Sequence, residues 1–143
     1  MATERVAQVT WQGDLMSGQG TITSVGSGAF AALDVTWASR AEEPQGRTSP
    51  EELIAAAHAA CYSMALSNGL AKAGTPPERL ETSATVTFVP GTGITKSALT
   101  VVGTVPGTDE DAFRAAAEEA KDGCPVSGAL KGNVELSVDA RLA

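Results

Sequence analysis

The chain holds two cysteines, Cys61 in the stretch "IAAAHAACYSM" (54–64) and Cys124 in "DGCPVSGAL" (122–130). Cysteine chemistry belongs to the thiolate, which attacks electrophiles, exchanges disulfides or binds soft metals. Two cysteines and the single histidine, His58, are too few for a structural zinc site without other ligands, so a metal centre is not expected. Cys61 lies near the middle of a small, apolar helical segment. A small thiol suits a crowded helix contact there, and a buried thiol stays protonated and inert. A reactive Cys61 would need a cation. His58 sits one turn before it, and Arg40 and Arg47 lie in the loop just upstream. Arginine is the better partner, because it stays charged and presents a fork of donors. Cys124 falls at the start of a short segment opened by Pro125, where free N–H groups and the helix dipole favour an anion. Local physics therefore makes Cys124 the more acidic thiol, unless it is only a cap-position residue in a Gly-Cys-Pro turn.

Glu51 adds a carboxylate to this set. As an acid in the first turn of a helix it gains about 0.3–1 kcal/mol from the dipole. It can also hold an arginine by a bidentate pair. Cys61, ten positions later, is rotated from Glu51 by roughly 80° around a helix of 3.6 residues per turn. Glu51 can thus hold an arginine near the thiol without touching the thiol itself.

The elements that must position these residues are legible in pattern. "RVAQVTW" (5–11), "GTITSV" (20–25) and "AALDVTW" (31–37) read as strands separated by glycine turns. Ala31, Leu33, Val35 and Trp37 share one face of the third, which predicts an antiparallel sheet with one packed side. Residues 38–48 read as a loop. A helix over about 50–73 follows, with Ser49 as N-cap, Pro50 at the first helical position and Glu52 completing a capping box. Gly74, Pro76 and Pro77 end it. "TSATVTFV" (82–89) and "ITKSALTVVGTV" (94–105) form a hairpin through "PGTG". A second helix runs roughly 109–121, a short third one runs from Pro125 through Leu130 with Cys124 at its N-cap, and "VELSVDARL" closes the chain as a half-buried strand. Strands and helices come in blocks, so the class is α+β. The length, 143 residues, predicts a single domain over 1–143.

Composition narrows the function. The net charge of −7 and the lack of a basic cluster disfavour nucleic acid and anionic membrane as partners. The uncharged run Leu53–Ala71 approaches membrane-spanning length, but its alanines and its Ser, Asn, Gly and His residues make it too weakly apolar. A helix buried in a core or an oligomer interface fits better. The start "MATERVAQVTWQGD" has no apolar signal region, which predicts a cytoplasmic protein, where stable disulfides are uncommon. No glycine-rich phosphate loop follows a strand.

"SPEELIAAAHAACYSMALS", followed much later by "AKDGCPVSGAL", resembles the OsmC/Ohr family of osmotically inducible and organic hydroperoxide resistance proteins. "VTWQGDLMSGQGTI", "GITKSALTV" and the final strand carry the resemblance over essentially the whole chain. The "AAAHAACYSMALS" wording is that of the OsmC branch. The resemblance implies an intertwined α+β homodimer, with antiparallel sheets around a long central buried helix. It implies a thiol peroxidase that reduces organic hydroperoxides, and hydrogen peroxide less well, with no bound cofactor. Cys61 matches the peroxidatic cysteine and Cys124 the resolving one. Glu51 matches the glutamate after the motif's proline. Arg40 is the better match for the family's arginine, with Arg47 as competitor.

On that reading Arg40, held by Glu51, keeps Cys61 ionised for attack on a peroxide oxygen. The resulting sulfenic acid condenses with Cys124, and a dithiol, with lipoyl-bearing proteins as the family's suggestion, restores both thiols. The alternatives are a non-catalytic stress protein with a fixed Cys61–Cys124 disulfide, stabilising by roughly 4 kcal/mol, and a redox sensor or small-molecule binder on the same fold.

Overall fold

The structure, a computed structural model, describes residues 1–143. The chain divides into two compact units, Met1–Leu53 and Ile54–Ala143. The first holds β1 (Ala7–Gln12), β2 (Gln19–Val25), β3 (Leu33–Val35), the short helix α1 (Trp37–Ala41) and the first turn of α2 (Pro50–Lys72). The second holds the rest of α2, then β4 (Arg79–Val89), β5 (Gly93–Thr104), α3 (Glu110–Gly123), α4 (Pro125–Leu130) and β6 (Glu135–Leu142). The architecture is α+β, as the blockwise order predicts.

In the first unit β1, β2 and β3 form an antiparallel sheet in that order. Trp11 stands opposite Gly20, and a Cβ on Gly20 would lie 2.7 Å from the Trp11 ring. Glycine therefore lets the indole lie across β2. The expected packed face is realised in part: Ile22 is buried, Leu33 and Val35 are half-buried on either side of exposed Asp34, and Ala31 is open; β1 is exposed throughout, with Val9 and Trp11 among its open side chains. The third strand is also shorter than expected. Thr36 leaves the ladder to cap α1: its hydroxyl accepts from Ser39 N–H while Ser39 Oγ accepts from Thr36 N–H. Trp37 thus opens a helix and does not extend the strand face.

α2 begins at Pro50, with Glu52 N–H donating to Ser49 Oγ at 3.1 Å. The Glu52 carboxylate accepts from Thr48 Oγ1, where a full capping box would have turned it onto the Ser49 backbone. Beyond the boundary the buried positions of α2 are His58, Tyr62, Leu66 and Leu70, a single i, i+4 stripe. Ala56, Ala57, Ala60, Met64 and Asn68 stay open, and Met64 is 73 % exposed. The helix expected to be buried in a core or an oligomer interface is covered on one side within this chain.

The second sheet has the order β4-β5-β6. β4 and β5 pair antiparallel from Arg79↔Thr104 to Val89↔Gly93, whereas β6 runs parallel to β5, Lys96↔Glu135 to Gly103↔Leu142. The sheet is therefore mixed. A parallel neighbour needs a crossover, and the α3–α4 segment supplies it. Leu99, Val101 and Ala140 of the sheet join Tyr62, Leu66 and Leu70 of α2 and Phe113, Ala117, Ala120 and Cys124 in one core. Asp109 caps α3 by accepting from Ala112 N–H. A Cβ on Gly103 would sit 2.6 Å from the Phe113 ring, so this glycine seats the ring on β5. Phe113 has no solvent exposure. Phe113→Ala is expected to cost about 3–5 kcal/mol, through lost burial and the cavity left behind. A urea midpoint unchanged from the parent would contradict this packing account.

Candidate active site

Cys124 sits at a joint between two helices. Its N–H donates to Ala120 O at 3.0 Å, closing α3, and its C=O accepts from Gly128 N–H at 3.0 Å, opening α4. Pro125 follows at the first position of α4, as expected, because its missing N–H is not needed there. The Cys124 backbone is thereby held at both ends and its side chain is 1 % exposed.

Folding brings Cys61 to this joint. It lies on the partly covered flank of α2 and packs against the core cluster that contains Cys124. The two thiols are near enough for each to act on the other's titration. Burial pushes the Cys61 thiol above its ordinary value; the Val126 N–H works the other way, and the hydrogen bond and charge of Cys124 add to the rise. Cys124 moves below its ordinary value. Burial opposes that shift, but the Ser127 N–H, the Cys61 thiol, the Ser127 hydroxyl and the Val126 N–H outweigh it. The Cys124 sulfur forms no full cap hydrogen bond, so the N–H groups of α4 act on it as oriented dipoles. Within this unit the surroundings favour negative charge on Cys124 over Cys61, the direction expected at a helix terminus.

Three further side chains at the joint were not singled out for this role in the sequence. Ser127, three after Cys124, is buried and its Oγ lies 2.8 Å from His58 Nε2. Ser97 of β5 lies 2.7 Å from His58 Nδ1. Tyr62 donates to Ala117 O at 2.9 Å. Its phenol is pushed well above the usual range, by burial first and then by the charges of Glu118 and Cys124. The available signal for Ser127 was its place at the third position after an N-cap. Ser97 had none, because its partner lies on another element.

His58 is fully buried between its two serines, and burial holds its pKa below the ordinary value of 6.5. The folded imidazole stays neutral at a pH where the unfolded one is already charged. The unfolded chain then binds the extra proton, so this stabilising contribution is complete above about 6.5 and is lost as pH falls below it. Urea midpoints are expected to fall from pH 7 through 6 to 5, with one proton setting a ceiling of about 1.4 kcal/mol per pH unit on the slope. His58→Gln, which cannot titrate, is expected to flatten that slope.

The first unit carries the ion pair. Arg40, in the last turn of α1, meets Glu51, in the first turn of α2, side-on. Nε lies 2.9 Å from Oε1 and 3.2 Å from Oε2, and Nη2 lies 2.8 Å from Oε1. The side chain of Glu51 is 7 % exposed and that of Arg40 31 %. Of the two candidate arginines it is Arg40 that pairs with Glu51; Arg47 is exposed in the turn before α2. α1 makes the difference, because it brings Arg40 back over the start of α2.

The chain is an α+β protein with a mixed sheet, two free thiols in its second unit and an arginine–carboxylate pair in its first. The OsmC-like protein family profile matches residues 43–139, which include Glu51, Cys61 and Cys124 and begin after Arg40. The chain is also 42 % identical over 139 residues, covering 95 % of it and 96 % of its relative, to Peroxiredoxin OsmC of Escherichia coli K12. The chain belongs to the OsmC-like family. Its fold is similar to the OsmC-like protein of Mycoplasma pneumoniae, with a TM-score of 0.73 at 14 % identity over 100 % of this chain and 99 % of that one. It is likewise similar to an organic hydroperoxide resistance protein of Elizabethkingia anophelis, with a TM-score of 0.71 at 22 % identity over 100 % of both. No helix of the chain is long and apolar enough to cross a membrane.

Proposed function

We propose that this protein is a thiol peroxidase that reduces organic hydroperoxides, and hydrogen peroxide less well, in oxidative stress defence in the cytoplasm. The observation that carries the reading is the pair of thiols held together at the α2–α4 joint, one partly exposed and one buried. Exposure supports Cys61 as the attacking thiol and Cys124 as the resolving one. A peroxide can reach Cys61, whereas Cys124 is closed off. The Cys61 thiolate attacks the outer peroxide oxygen, the O–O bond breaks, and the alkoxide leaves and takes up a proton as alcohol. Cys61 is then a sulfenic acid. Cys124 attacks its sulfur, water leaves, and a Cys61–Cys124 disulfide forms. A dithiol, in the cell a lipoyl-bearing protein, returns two electrons and two protons by exchange. No bound cofactor enters the cycle.

The charge of the pair must reach Cys61 for the first step, and the local dipoles favour Cys124. Arg40, clamped by Glu51, supplies the missing pull. The working form is a homodimer, which covers the open face of α2 at Ala57, Ala60 and Met64 and presents the Arg40–Glu51 pair to the thiols. The preference for organic substrates comes from burying an alkyl tail, at about 0.8 kcal/mol or roughly fourfold per methylene.

Single-turnover chemistry tests this. One equivalent of cumene hydroperoxide, with no reductant, is expected to take the parent from two titratable thiols per chain to none and to leave an intramolecular disulfide. Cys124→Ser is expected to consume the same equivalent and to hold Cys61 as a sulfenic acid that dimedone traps. A parent that keeps both thiols after peroxide would end the peroxidase reading. A bond already present that resists dithiols would favour a fixed structural disulfide.

A further inference from the structure

His58 is a titratable side chain at the joint that the peroxide cycle above does not use, and the sole histidine of the chain. It is fully buried, and each ring nitrogen meets a serine hydroxyl: Nδ1 meets Ser97 Oγ at 2.7 Å and Nε2 meets Ser127 Oγ at 2.8 Å. Ser97 and Ser127 are themselves buried, and no buried side-chain polar atom lacks a partner. Ser127 stands three residues after Cys124, the N-cap of α4; its hydroxyl is bonded to His58 and is among the groups that lower the Cys124 thiol.

A hydroxyl donates one hydrogen. If Ser127 spends it on His58 Nε2, none is left for the Cys124 sulfur. Only one polarity of the chain serves the sulfur. Ser97 Oγ–H donates to Nδ1, Nε2–H donates to Ser127 Oγ, and Ser127 Oγ–H is released toward Cys124. A neutral imidazole can do this because one nitrogen accepts while the other donates. We infer that His58 is a positioning residue for Cys124: as its Nε2–H tautomer it occupies the acceptor side of Ser127 and turns the Ser127 hydroxyl onto the Cys124 sulfur.

The consequence rests on the peroxidase reading. In disulfide reduction the dithiol attacks the Cys61 sulfur, the new S–S bond forms there, and Cys124 leaves with the electron pair. A thiolate that is better stabilised leaves faster, and a hydrogen bond to a charged acceptor is stronger than one to a neutral acceptor. The titratable groups facing Cys124 are Cys61 and Tyr62, both from α2. Glu118 of α3 acts on Tyr62. No charged group acts on His58, and Lys96, next to Ser97 on β5, is exposed.

The test uses reduced full-length protein and needs no peroxide. In a Cys61→Ser background, thiolate absorbance at 240 nm reports the Cys124 titration directly. Ser127→Ala is expected to raise its midpoint by about one pH unit, tenfold less thiolate below the midpoint. His58→Leu is expected to raise it similarly, with no further rise in the double variant. His58→Gln is expected to return it to within a few tenths of a unit, because the amide N–H donates to Ser127 and its oxygen accepts from Ser97. An unchanged midpoint in Ser127→Ala, or additive shifts in the double variant, overturns the inference. Because His58 is the sole histidine, imidazole nitrogen NMR of the parent gives an independent reading. The Nε2–H tautomer is expected, and the Nδ1–H tautomer overturns the inference even if the His58 variants fail to fold. Failure of the peroxide assay with these results intact would remove the peroxidase reading and leave the relay standing.

Discussion

Cys61→Ser is expected to reduce hydroperoxide consumption to the rate of the dithiol alone. The loss is large because the whole acceleration runs through one atom. A serine hydroxyl at this position is not ionised near neutral pH and is a far weaker nucleophile than a thiolate. Nor can Cys124 take over the attack. It is the more acidic of the two, but it is closed to solvent and packed under α2. Enzymes commonly exceed the uncatalysed rate by on the order of 10⁶-fold or more, and the substitution removes that factor as a unit. The readout is coupled turnover of cumene hydroperoxide, with thermal midpoints showing that the variant is folded. A Cys61→Ser protein that turns over near the parental rate would mean that the peroxide meets some other group.

Arg40→Met is expected to give the second largest loss, about 10- to 1000-fold in kcat/KM at neutral pH. That range is what one to three pKa units are worth when a cation beside a thiolate is removed. The size of the loss follows from where charge on the thiol pair prefers to sit. Burial raises Cys61, and the α4 dipoles and hydrogen bonds lower Cys124. Without an opposing cation, the attacking sulfur is the one left protonated. The side-on clamp of Arg40 by Glu51 fixes the guanidinium in one geometry. Arg40→Lys should therefore rescue little, since an ammonium cannot make the forked pair. Raising the pH ionises Cys61 without help, so the defect of Arg40→Met is expected to shrink at alkaline pH. A defect that is constant with pH would assign Arg40 to peroxide binding instead of thiolate stabilisation.

Much of the architecture is written in short-range signals. The Ser49–Pro50 start and the Gly74 end of α2, the N-cap at Asp109 and the Pro125 start of α4 are each decided by a few consecutive residues. They are decided there because a helix end is a local hydrogen-bonding problem. The β4–β5 hairpin was legible for the same reason, since alternation and the "PGTG" turn lie within one segment. α1 was missed because a helix of five residues has no period to detect; only the Thr36–Ser39 cap marks it. The parallel direction of β6 was invisible because alternation is the same read in either direction.

By itself the sequence determined the two thiols, the acidic, cation-poor character of the chain, the α+β order and the place of Cys124 at a helix start. The resemblance of two motifs added that Cys61 and Cys124 should meet. Only the tertiary structure decided that Cys61 packs against the core cluster that holds Cys124, that Arg40 and not Arg47 takes Glu51, and that His58 joins serines 39 and 69 positions away. The physical reason is range. Caps and periodicity are fixed by neighbours in the chain, whereas the proton positions and charges of buried groups depend on whichever distant atoms the packing brings within about 3 Å.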